Sequence, residues 1–183
     1  MVYKKNNKGE SGIMNYSKIR KYDTSNWDGV NTTIFFSGCK FGCPGCFNKD
    51  AQDFNYGEEY TKDVEDRLIE YAKNVHVSGV CILGGEPFQQ DLDILYGLVK
   101  RIKTEVNKPI HIWSGYTWEE LISDCKKVAI LGQCDTLVDG RFDIGSKDLN
   151  LKYRGSSNQR VIDIRKSLIK GEALEYRQFK IHG

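Results

Sequence analysis

No run of about 18 apolar residues occurs in the 183-residue chain, so no segment reads as a membrane-spanning helix. The opening stretch Met1-Val2-Tyr3-Lys4-Lys5-Asn6-Asn7-Lys8 lacks the apolar segment of a secretory leader. A charge bias is missing as well. Lys and Arg number 27 against 25 Asp and Glu, and the net +2 gives no reason to expect nucleic acid or a membrane as partner. No internal repeat, low-complexity tract or linker divides the chain. The expectation is one cytoplasmic domain, long enough to bury a core without staples. Residues 1–13 are polar and lysine-rich without periodicity, and read as a loose N-terminal arm ahead of a single domain over 14–183.

In a reducing compartment, clustered cysteines read as metal or catalytic sites rather than as disulfides. Three of the six cysteines have no such spacing: Cys81 lies in an apolar run, and Cys125 and Cys134 are isolated. They read as small buried hydrophobes or idle thiols. His76, His111 and His182 follow no ligand spacing, and Trp113 and Trp118 read as core. Cys39, Cys43 and Cys46 are different, because they share one loop with the spacing C-x3-C-x2-C. Three thiolates are one fewer than an electron-transfer cluster or a structural zinc site uses. A cubane held by three leaves one iron open to a small molecule. A zinc ion would need a distant fourth ligand.

The cysteine loop has a definite place in the pattern of elements. Residues 30–37 are β-branched and aromatic, the mark of a strand, and run straight into it. A helix follows near 60–75, with Val64, Leu68, Tyr71, Ala72 and Val75 on one face. The strand 77–83 stops at Gly84-Gly85, and a helix over about 89–106 buries Leu92, Leu95, Tyr96, Val99, Ile102 and Val106. A third strand at 109–113 precedes Thr117-Trp118-Glu119-Glu120, which has the form of a capping box. A fourth strand, 136–138, ends at Asp139-Gly140; a fifth near 160–164 is followed by a short helix.

Strands alternating with helices predict an α/β fold with a parallel sheet. The strand ends then place the cysteine loop, Gly84-Gly85-Glu86-Pro87, Ser114-Gly115 and Asp139-Gly140 on one edge, where α/β folds bind ligands. Too few repeats exist for a closed eight-fold barrel, so a partial, open (β/α) barrel is expected. The two glycines admit positive φ and close approach of a ligand to the backbone.

The cysteine triplet and the Gly-Gly-Glu-Pro turn together resemble the radical S-adenosylmethionine superfamily. The resemblance implies a [4Fe–4S] cluster on Cys39, Cys43 and Cys46, with S-adenosyl-L-methionine chelating the fourth iron through its amino and carboxylate groups. Gly84, Gly85 and Glu86 would then line the methionine end. Many members carry an aromatic residue just before the third cysteine; here Gly45 holds that place, and Phe47 is the candidate for the contact.

Further segments match one branch. Ser37-Gly38-Cys39, Cys43-Pro44-Gly45-Cys46-Phe47-Asn48, Trp113-Ser114-Gly115-Tyr116-Thr117, Leu137-Val138-Asp139-Gly140-Arg141-Phe142 and Arg154-Gly155-Ser156-Ser157-Asn158-Gln159-Arg160 resemble the activating proteins of anaerobic ribonucleoside-triphosphate reductase. At Trp27-Asp28-Gly29-Val30 the chain departs from the Gly-Pro-Gly turn more usual there. The branch implies a glycyl-radical activase whose partners are the reductase large subunit and a one-electron donor such as flavodoxin. Only 37 residues separate Cys46 from Gly84, with Cys81 the sole cysteine among them, so no second four-cysteine cluster fits between. Ser114 and Asp139 fall among the cofactor-side candidates, although Asp139 reads equally well as a turn aspartate before Gly140. Arg154, Asn158 and Arg160 read as contacts to S-adenosylmethionine, a phosphate or the partner. Two alternatives remain: another small radical enzyme of this superfamily, activating a different protein or modifying a heterocycle, and a non-catalytic zinc-binding module.

Overall fold

The computed structural model describes residues 14–177, so the expected arm over 1–13 and His182 lie outside the described residues. Seven strands form one sheet: β1 (Asn15–Asp23), β2 (Asn31–Phe36), β3 (Glu58–Glu59), β4 (Gly79–Gly84), β5 (Ile110–Trp113), β6 (Thr136–Asp139) and β7 (Arg160–Asp163). The helices are α1 (Lys62–Ala72), α2 (Leu92–Arg101), α3 (Trp118–Ile122), α4 (Cys125–Leu131) and α5 (Ile164–Lys170). The spatial order is β3-β1-β2-β4-β5-β6-β7. β2, β4, β5 and β6 are parallel neighbours, whereas β1 pairs antiparallel with β2 and β3, and β7 pairs antiparallel with β6.

The sheet is therefore mixed, parallel only in its centre. Each parallel pair is bridged by a helical crossover. The β1–β2 link is a short turn, and the β6–β7 link returns at the edge where β6 ends, so both outer strands must run the other way. β1 itself escapes the sequence pattern. Two irregularities, between Tyr16 and Lys18 and between Arg20 and Asp23, break its alternation.

All six β2 residues are buried. Ile34 and Phe36 join Leu68, Ile82, Leu95 and Ile112 in the larger core. Phe35 faces the other way, into a smaller cluster with Trp27, Cys81, Leu83 and Val138. A strand buried on both faces reads as a continuous apolar run, as this one does.

The helix after β5 starts as expected, whereas the one expected from about 89 begins at Leu92. Thr117 accepts from Glu120 N at 3.3 Å while the Glu120 carboxylate accepts from Thr117 N at 2.7 Å, completing the capping box. The helix expected over 60–75 ends at Ala72, and Val75 is 86% exposed rather than on the buried stripe. The one expected over 89–106 is α-helical only to Arg101 and continues as a π turn over Ile102–Val106, closed by Asn107 at φ 54°. Trp118 is in the core, while Trp113 is half-buried with its indole N–H on Tyr153 O at 2.7 Å.

Candidate functional site

The cysteine loop leaves β2 at Ser37 and is held at its base by backbone hydrogen bonds and by the Gln90 side chain. Gly38 N donates to Ala51 O at 2.8 Å, and Cys39 N donates to Gln52 O at 3.0 Å. The Gly84–Glu86 turn is tied to the same base: Gly85 N donates to Phe36 O at 2.8 Å and Glu86 N to Gly38 O at 2.9 Å. Gln90 Nε2 reaches Gly38 O as well, at 3.0 Å. The two motifs are thus one hydrogen-bonded unit, positioned by the parallel pairing of β2 with β4.

Both glycines are required by packing. Gly84 sits at φ +124°, and a Cβ there would overlap the backbone of Phe36. A Cβ on Gly85 would overlap the carbonyl of Gly38 and approach Ala51 O to 2.7 Å. Protein backbone fills that direction, so close approach of β4 to the cysteine loop is reason enough for the glycine.

Cys39, Cys43 and Cys46 are free and partly exposed. Burial pushes the Cys39 thiol up, opposed by the Phe41 N–H that donates to it. Cys43 is pushed up by burial and by Cys46; its own N–H, Arg141 and the N–H of Phe142 pull the other way. An ion or cluster bound here must displace the protons of these thiols. Near Cys39, the Ser37 hydroxyl is buried and has no hydrogen-bond partner among the described residues. Among the described residues no three His, Cys, Asp or Glu side chains stand close enough to hold one metal ion. Around a single zinc, thiolate sulfurs would lie about 3.8 Å apart; a cubane gives each its own iron and spreads them further. Three free, partly exposed thiols on one loop match the donor set of a cubane with one open iron.

Glu86 is 1% exposed. Its Oε1 accepts from Ser114 Oγ at 2.8 Å and Phe88 N at 3.0 Å, and its Oε2 accepts from Gly115 N at 2.6 Å. The carboxylate thereby pins the turn after β5 to the turn after β4. Burial pushes its carboxyl up to about 7, against the pull of those hydrogen bonds. At the opposite end of the sheet, His111 is buried against Trp27 and shares a 2.7 Å hydrogen bond with Thr136 Oγ1; burial pushes it down to about 4.

These two groups act on stability with opposite signs. Glu86 binds its proton more tightly when folded, so its contribution is complete below about pH 4.5 and is lost as pH rises through 7. His111 is held neutral, so its contribution is complete above about pH 6.5 and is lost as pH falls through 4. Each is worth about 3 kcal/mol across its window, and the windows overlap. Urea unfolding of the metal-free protein should show Glu86→Gln gaining stability with rising pH between 4.5 and 6.5 relative to wild type, and His111→Asn losing it. Parallel profiles for all three proteins would refute the shifts.

The remaining candidates are engaged within the protein. Asp139, 1% exposed, accepts from Trp118 N at 2.7 Å and from Arg160 Nε at 3.0 Å, and Arg160 also pairs with Glu119 at 2.8 Å. Arg154 donates to Gln159 O, and Asn158 donates to Arg141 O at 2.8 Å. Gly45, at φ +70°, lies under Ile144, and Phe47 is 99% exposed. Cys81 and Cys134 are buried; Cys125 and His76 are exposed. Sequence reasoning missed Phe41 and Tyr116, whose rings meet edge-on at 4.8 Å over the site, and Arg141, stacked on Phe41 at 4.4 Å. Phe41 lies inside the cysteine motif, and Arg141 directly follows Asp139-Gly140. Those positions were the available signal. A cavity of about 390 Å³ lies away from the cysteines, among Trp27, Asn31, Ser78, His111 and Tyr176. Among the described residues no helix is long and apolar enough to cross a membrane.

Comparison with known proteins bears on the same residues. Residues 25–162 match the family of 4Fe-4S single cluster domains. The chain is 38% identical over 150 residues to the anaerobic ribonucleoside-triphosphate reductase-activating protein of Vibrio cholerae, covering 80% of this chain and 96% of that one. It is 36% identical over 156 residues to the protein of that name from Escherichia coli K12, covering 83% and 100%. The namesake of Enterobacteria phage T4 is 30% identical over 152 residues, covering 81% and 93%.

Proposed function

The chain belongs to the family of anaerobic ribonucleoside-triphosphate reductase-activating proteins, and on that premise we propose that it installs a glycyl radical in the reductase. One observation carries the reading beyond the family. The backbone of the loop that carries three thiols is hydrogen-bonded at Gly38 to a Gly-Gly-Glu turn at the carboxyl edge of parallel strands. In this reading Cys39, Cys43 and Cys46 hold a [4Fe–4S] cluster. Gly45, Phe47, Gly84, Gly85, Glu86 and Ser114 border S-adenosyl-L-methionine, and the parallel strands form a partial barrel of the radical type. The bound groups supply reductive cleavage of the sulfonium C–S bond, giving methionine and a 5′-deoxyadenosyl radical.

The protein's own part is positional. Glu86 locks the turns after β4 and β5 together, so that the cysteine loop and the Ser114–Gly115 turn keep a fixed separation. Asp139 and Arg160 fix the end of β6 to α3 and β7. The substrate is a backbone glycine of the reductase large subunit, which gives up a hydrogen atom to form 5′-deoxyadenosine. The electron comes from a flavodoxin-like donor, in the reducing cytoplasm.

Anaerobic incubation with S-adenosylmethionine, a reductant and the reductase tests the assignment by electron paramagnetic resonance. An organic radical doublet on the reductase, with 5′-deoxyadenosine formed alongside it, is expected. Without the reductase, cleavage should be slow and leave no protein radical. Efficient turnover of a free small molecule, with no radical on the reductase, would overturn it.

A further inference from the structure

The segment leaving β6, residues 140–144, lies across the cysteine loop and touches it at alternate positions. The Arg141 guanidinium stacks on Phe41 with its carbon 4.4 Å from the ring centroid. Arg141 and the Phe142 N–H both lie close enough to Cys43 to pull its thiol down. Ile144 occupies the space a side chain on Gly45 would need, with Cδ1 2.6 Å from the Cβ position. This strap is itself braced from behind. Asn158 Nδ2 donates to Arg141 O at 2.8 Å, Gln159 Nε2 to Gly140 O at 2.9 Å, and Asp143 N to Ser156 Oγ at 3.2 Å. Three polar side chains of the branch-specific segment 154–160, those of Ser156, Asn158 and Gln159, therefore hold the strap.

Arg141 is exposed and forms no salt bridge among the described residues, and its charge acts on Cys43 while the Glu86 carboxylate acts on Cys39 with the opposite sign. We propose that Arg141 is a positioning residue for the cluster loop, clamping Phe41 and setting the reduction potential at Cys43 with its positive charge. The inference rests on the reading that the three cysteines hold a cluster. Reduction by one electron from the donor adds negative charge to the site, and a fixed cation nearby favours that state. The Phe142 N–H beside Cys43 acts in the same direction.

Wild type, Arg141→Lys, Arg141→Gln and Arg141→Met are reconstituted anaerobically, and iron content and midpoint potential are measured in a mediated titration. At the potential where wild type is half reduced, Arg141→Gln and Arg141→Met should show a ratio of reduced to oxidised cluster at least threefold lower. Arg141→Lys, which keeps the charge, should stay within twofold of wild type. Because it lacks the planar stack, it should release iron to a chelator several-fold faster. Full iron with an unchanged ratio in Arg141→Met overturns the proposal. If neither neutral variant takes up iron, uptake by Arg141→Lys still supports a role for the charge; failure of Arg141→Lys as well overturns it in favour of plain packing. Wild type that takes up no cluster overturns the cluster reading instead.

Discussion

Cys43→Ala should emerge from anaerobic reconstitution without a stable cluster, its visible absorption gone and its iron at background. Two thiolates retain a cubane poorly, and Cys43 is the thiol that the Phe142 N–H and the Arg141 charge support. Cys39→Ala and Cys46→Ala should behave alike. The other three cysteines supply the contrast. Cys125 is exposed on α4, and Cys81 and Cys134 are buried in the core, so none faces the loop. Their alanine variants should keep full iron, with Cys81→Ala and Cys134→Ala losing on the order of 1 kcal/mol of stability to small cavities. Full iron in Cys43→Ala, or its loss in Cys125→Ala, would show the ligand set to be wrong.

Gly85→Ala should destabilise the metal-free protein by ~2–4 kcal/mol, before any cofactor enters. The added methyl meets two backbone carbonyls, those of Gly38 and Ala51, and neither can rotate away. Relieving the overlap means separating β4 from the root of the cysteine loop and losing the Glu86 N to Gly38 O hydrogen bond. Iron uptake should fall as a secondary effect. Gly42→Ala is the control within the same loop. It sits at φ +62° but meets nothing within 4 Å, so only the backbone term of about 1 kcal/mol applies. Urea denaturation of both variants separates the cases. Unchanged stability in Gly85→Ala would assign that glycine to ligand clearance alone.

Much of this arrangement was legible in the chain because its strongest signals are local. β2 is one apolar run ending at the cysteines, β4 another ending at two glycines, and Thr117 with Glu120 writes out its own cap. Those features need only neighbours in sequence. What escaped depends on distant partners. β1 owes its pairing to β2 and carries irregularities that erase its alternation, and the seven-residue α4 is too short for a periodic stripe. The antiparallel setting of β7 follows from where the 140–159 connection returns, which composition does not encode. At the site, the glycines were legible as glycines but not as a steric requirement of Gly38 and Ala51. Arg160 was legible as a charge, but its buried partner Asp139 lies 21 residues away.

The ends of the sheet bear on how a large partner can approach. One outermost strand, β3, is two exposed glutamates long, and at the other end β7 is met by the chain itself, through Glu175 against Ile162 and Tyr176 N on Val161 O at 2.8 Å. The occupied rim discourages strand addition by another polypeptide, and on the other side the part of β1 that β3 leaves uncovered, residues 17–23, carries Lys18, Arg20 and Lys21 along its length. A protein that presents its loop end-on, over the tips of the central strands, would be recognised by side chains and turn geometry rather than by a shared backbone ladder.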